Sequence, residues 1–219
     1  TVVDAYRLGD DQVLRVRLEE GHLPVGSEVT AVVDAPRRRA TQANHTATHV
    51  LNWALRERLG SGVKQAGSYV GPEKLRFDFT HRGRVPPEEI RRIEEMVNAR
   101  VAEDQPVTWE IVDREQADAA GAIGLFEEKY GERVRVLSTG DFSKELCGGT
   151  HVSRTGEIGP FAITTETSTG AGARRIEALT GVAALEWLRE RERALMEEVA
   201  RRDERIRALE AELKRAKSG

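Results

Sequence analysis

From Val182 to Ser218 the sequence holds neither glycine nor proline and is dominated by Ala, Leu, Glu and Arg. A run of that length and composition has one stable local solution, a continuous helix of ~55 Å at ~1.5 Å per residue. Heptads put Leu185, Leu188, Leu195, Val199, Ile206, Leu209 and Leu213 on one seam, broken by Glu192 and Arg202, so seven of nine a and d positions are apolar. Such a seam predicts a coiled-coil arm or a helical hairpin. Its partner helix is expected downstream of Gly219, and an oligomer formed through it is one outcome.

A second constraint comes from Asn44-His45-Thr46-Ala47-Thr48-His49, at the head of a segment from Gln42 to Leu59 whose apolar residues recur at three- and four-residue steps before Gly60. That period predicts an amphipathic helix. Histidines at i and i+4 then lie on one face, close enough to grip one ion. Far downstream, Cys147-Gly148-Gly149-Thr150-His151 adds the only cysteine and another histidine. Three imidazoles and a thiolate suit zinc, which takes nitrogen and sulfur at about 2.0 to 2.3 Å. The alternative is a set of buried, hydrogen-bonded side chains, since spacing alone does not bring the two segments together.

The motifs His45-Thr46-Ala47-Thr48-His49, Val63-Lys64-Gln65-Ala66-Gly67-Ser68, Leu75-Arg76-Phe77-Asp78-Phe79 and Cys147-Gly148-Gly149-Thr150-His151 fall in this order. Gly159-Pro160-Phe161 and Arg174-Arg175-Ile176-Glu177-Ala178 follow. Together they closely resemble the editing domain of alanyl-tRNA synthetase, over roughly Arg38 to Gly181. Free-standing deacylases of mischarged alanine-specific tRNA share this core, and threonyl-tRNA synthetase editing domains are more distant relatives. The resemblance implies hydrolysis of serine or glycine wrongly esterified to tRNA(Ala), at a Zn2+ held by His45, His49, Cys147 and His151. It also implies catalytic roles for Gln65 and Ser68, and substrate or tRNA contacts through Thr46 and Gly149. Arg174 and Arg175, after the glycine-rich turn 170–173, are expected to meet the tRNA end. In the resembled family, the full-length protein would attach alanine to tRNA(Ala).

Elsewhere, Val13 to Leu18 and Val29 to Val33 alternate as strands. In the resembled family these would be the remnant of a small β-barrel. With the opening Thr1, this points to a fragment of a longer polypeptide. Asp34 to Ala40 reads as a connector. Strands are expected at 63–70, 75–80, 107–112, 133–138, 158–165 and 175–179, and helices at 86–104 and 114–120. The fold expected is α+β: a mixed sheet with helices forming a zinc cleft, preceded by part of a barrel and followed by the long helix. The domain limits expected are 1–36, 37–181 and 182–219.

With 32% charged residues and a formal charge of −3, the chain lacks the global field of a strongly basic nucleic-acid binder, so tRNA contact must use local patches such as 37–39. No apolar run reaches the ~18 residues of a membrane span. One thiol suits a reducing cytoplasm, where the chain is expected. Two other readings stand beside editing: a structural zinc module that binds tRNA without chemistry, and a free-standing trans-editing deacylase.

Overall fold

A computed structural model describes residues 1–9, 11–124, 131–170 and 172–217. Two units divide the chain, Thr1–Val33 and Asp34–Gly219. In the first, β1 (Val2–Leu8) and β2 (Asp11–Val16) pair antiparallel, with Tyr6 opposite Val13. Two strands do not close a barrel. The strand expected at Val29–Val33 is absent, because alternation makes a strand only where a partner supplies the ladder. The partner for Val13 to Val16 is instead β1, which the alternation did not reveal.

The second unit is built on α1 (Ala35–Leu59), whose Ala47, Val50, Leu51, Ala54 and Leu55 are completely buried. This helix begins seven residues before the expected Gln42. Asp34 caps it, its carboxylate accepting from the Arg37 amide at 3.0 Å, and Pro36 sits in the first turn. Both are start signals, and they convert the supposed connector into helix.

Against α1 lie α2 (Pro87–Ala102) and an antiparallel sheet in the order β3, β4, β9, β8. Its strands are β3 (Gln65–Val70), β4 (Leu75–Thr80), β8 (Phe161–Gly170) and β9 (Ala173–Thr180). Phe77 and Phe79, two apart on the central strand β4, both turn into the core with Ile93, Val97 and Ile176. Strand β8 starts later than expected, since Thr155–Ile158 is a 3-10 turn and Gly159 takes φ 69° before Pro160. A side chain at Gly159 would put its Cβ 2.9 Å from the Cα of Gly181. The turn expected at 170–173 joins β8 to β9, though its Ala171 lies outside the described residues.

A second antiparallel sheet contains β5 (Val107–Asp113), β6 (Arg133–Thr139) and β7 (Ser143–Leu146), with α3 (Arg114–Ala119) on one face. The only parallel pairing among the described residues is the bridge between Ile123 and Glu145. Finally α4 (Gly181–Lys217) packs its start on β8 and β9, burying Ala184, and leaves Leu185, Leu188, Leu195, Val199, Ile206, Leu209 and Leu213 exposed. The architecture is α+β. Among the described residues no helix is long and apolar enough to cross a membrane.

Candidate metal centre

The helix and the loop after β7 deliver the two halves of the ligand set to one point. His45 and His49 project one turn apart from α1, with ring centroids 5.2 Å apart, and His151 sits 4.2 and 5.1 Å from them. One donor atom each from His45, His49, Cys147 and His151 falls within 4.8 Å of all the others. The Cys147 Sγ lies 3.5 Å from His45 Nε2 and 3.3 Å from His151 Nε2.

Which nitrogen faces the cluster is decided behind the rings. His45 Nδ1 is 3.2 Å from the Thr150 carbonyl, which can only accept, so Nδ1 carries hydrogen. His49 Nδ1 donates to Glu145 Oε2 at 2.6 Å. The Thr46 hydroxyl gives its one hydrogen to the Gln42 carbonyl and therefore accepts from His151 Nδ1 at 3.2 Å. All three Nδ1 atoms are thus engaged, leaving the three Nε2 atoms for the cluster. His49 Nε2 is buried with no hydrogen-bond partner.

This arrangement fits zinc. Bonds of about 2.0 to 2.3 Å at tetrahedral angles separate nitrogen from sulfur ligands by about 3.5 Å, and the two sulfur contacts above have that length. Burial pushes the Cys147 thiol up, but the close imidazoles of His151 and His45 and the charge on His49 outweigh it and bring it down to about 3, in the range of a thiolate. Burial, with the charges of His45 and His49, lowers His151 to about 4 and keeps it neutral. Burial also opposes charge on His49, but Glu145 and the Cys147 thiolate raise it to about 10. A metal ion would displace that proton.

Glu145 is the residue that sequence reasoning missed. Its carboxylate, 1% exposed, accepts from Asn52 at 3.0 Å and from Ser143 at 3.3 Å as well as from His49. Strand alternation turns Ser143 and Glu145 to one side, and Asn52 stands three residues after His49 on the same helix face. Those spacings were the available signal. Gly149 is a cradle, since a Cβ there would lie 2.1 Å from His45 Cε1. Its carbonyl accepts from Arg135.

The residues expected to contact substrate or tRNA are engaged within the fold. Thr46 is fully buried, and its hydroxyl holds His151 and the Val152 amide rather than facing solvent. Gln65 and Ser68 hydrogen-bond each other at 3.2 Å, not the ligands. Gln65 lines a cavity of about 550 Å³ with Asn52, Arg56, Lys64 and Ile123, and Asn52 in turn donates to Glu145. Arg174 and Arg175 are not free cations beside a glycine turn. Arg174 pairs with Glu166 at 2.5 Å, and Arg175 grips Asp78, its neighbour across the ladder, with two bonds of 2.7 and 2.8 Å. Strand pairing places Asp78 opposite Arg175 and Glu166 diagonal to Arg174.

Residues 134–177, which include β7, all but the first residue of β6 and two of the four candidate ligands, match the family described as the threonyl and alanyl tRNA synthetase second additional domain. Over that stretch the chain is similar to the synthetases that carry this domain. Within them its likeness is to alanine–tRNA ligases. It is 53% identical over 187 residues to that of Rubrobacter xylanophilus, covering 85% of this chain and 21% of the ligase. It is 52% identical over 213 residues to those of two Thermus thermophilus strains, covering 91% of this chain and 24% of each. The chain spans about a fifth to a quarter of the length of these relatives.

Proposed function

We propose that this chain is the editing part of an alanyl-tRNA synthetase, hydrolysing the ester of serine or glycine wrongly attached to tRNA(Ala). The observation that carries the reading is the convergence of three Nε2 atoms and a thiolate whose opposite faces are all held by acceptors. The likeness to alanine–tRNA ligases supplies the substrate class. Bound there, zinc would polarise the ester carbonyl or make an attacking water more acidic. The loop 147–151 is the accessible side of the centre, with Gly148 and Thr150 exposed. Gln65, in the adjoining cavity, is the group we assign to the serine hydroxyl. Ser68 accepts from the Gln65 amide and so orients it.

Four protein ligands favour a second reading, a closed structural site that binds tRNA without chemistry. Editing then requires that one of the three less buried ligands yields, or that the neighbouring ribose hydroxyl activates the water. A deacylation assay on serine-, glycine- and alanine-charged tRNA(Ala), with and without chelator, separates the readings. Release of serine and glycine above the alanine rate, lost with chelator, supports editing. Equal rates for all three at the uncatalysed level leave the structural reading in possession.

A further inference from the structure

Trp109 is exposed to 57%, whereas Trp53 and Trp187 are partly buried. It stands on the edge strand β5 opposite Leu137, and so shares the sheet face from which Leu137 enters the core and Glu145 reaches His49. Arg135, diagonal to it on β6, lays its guanidinium over the indole, with Cζ 4.4 Å from the ring centroid. The same guanidinium donates to the Gly149 carbonyl, and Gly149 lies against the His45 ring. One guanidinium and one glycine therefore separate an exposed aromatic face from a metal ligand. Ile111, 51% exposed and opposite Arg135, extends that surface.

We propose that the Trp109–Arg135 stack is the platform for the terminal nucleobase of a single-stranded RNA 3′ end, beside the metal centre. This rests on the reading that the substrate is an aminoacyl ester of tRNA. In such an ester the base is one sugar away from the reacting carbonyl, and here Arg135 and Gly149 alone link the platform to His45. A flat π-face accepts any base, and the adjacent cation favours the phosphate that comes with it. The expected arginines 174 and 175 are ion-paired elsewhere in the sheet, whereas the stacked Arg135 has its ring-side face already ordered by the indole.

The test uses the whole chain and the trinucleotide CCA as probe. Tryptophan fluorescence of the wild-type chain should change on titration with CCA, and the change should be absent from Trp109→Phe. Trp109→Ala should weaken CCA binding roughly tenfold at unaltered metal content, with the loss in deacylation falling on KM. A trinucleotide whose last residue is abasic should bind the wild type as weakly as CCA binds Trp109→Ala. An identical fluorescence response in Trp109→Phe, or unchanged CCA affinity in Trp109→Ala, overturns the platform. If Trp109-dependent binding appears while no ester is hydrolysed, the platform stands and the editing reading falls.

Discussion

Glu145 is the sharpest place to perturb this protein, because it holds a ligand without being one. Replacing it with alanine leaves His49 Nδ1, Asn52 Nδ2 and Ser143 Oγ without their acceptor in a buried site. Each stranded donor costs about 1 to 3 kcal/mol. The Ser143 hydroxyl can turn away and Asn52 borders the cavity, so a total of about 3 kcal/mol is expected, or roughly 6 to 12 °C in Tm for a unit of this size. Freed from its carboxylate, the His49 ring loses its orientation, and metal affinity should fall about 10- to 100-fold. Glu145→Gln is the informative partner. Its carbonyl oxygen can still accept from His49, and Asn52 Oδ1, buried with no partner, can accept from the new amide after a flip. That variant should lie within about 1 kcal/mol of wild type in stability and retain most of the metal affinity. Zinc titration against a competing chelator and thermal unfolding of the metal-free chain measure the two effects separately. Undiminished zinc affinity in Glu145→Ala would show that His49 needs no support, and the account of the centre given above would be wrong.

Three further outcomes are expected. Gln65→Ala should lower hydrolysis of the serine ester far more than that of the alanine ester, because a site that hydrogen-bonds the hydroxyl can discriminate by factors of roughly 10⁴; an equal fall in both rates would make Gln65 a positioning residue. Gly149→Ala drives a methyl into His45, so zinc stoichiometry or affinity should drop although the fold survives, as read by circular dichroism and metal analysis. Arg174→Ala should lower Tm by a few degrees, since its partner Glu166 is 7% exposed, and should leave the salt dependence of tRNA binding unchanged; a shallower salt slope would return Arg174 to the RNA interface.

The cluster itself was legible because its chemistry is written in residue type: imidazoles at i and i+4 and a lone thiolate four residues before a histidine. The long helix was legible from composition alone, and the edges of β3, β4, β5 and β6 fell close to their alternation. What the chain's order hid was set by neighbours. Asp34 and Pro36 look like linker until the helix behind them is known, and Val29 to Val33 alternates without a partner to pair with. Arg174 and Arg175 look free in sequence, because the carboxylates that bind them sit 8 and 97 residues away. Glu145 escaped for the same reason, since its work depends on a helix 93 to 96 residues upstream.

That separation also bears on how the chain folds. His49 and Cys147 are 98 residues apart, and joining them closes a loop whose entropy costs about 5 kcal/mol in a flexible chain. Gathering the donors in the unfolded ensemble is therefore unfavourable, and the cluster is expected to form late, once folding has brought α1 and the loop after β7 together. A metal ion arriving at that stage acts as a removable cross-link. It would slow unfolding strongly and hardly change the folding rate, so the lifetime of the native state, rather than the speed of reaching it, would follow the metal supply.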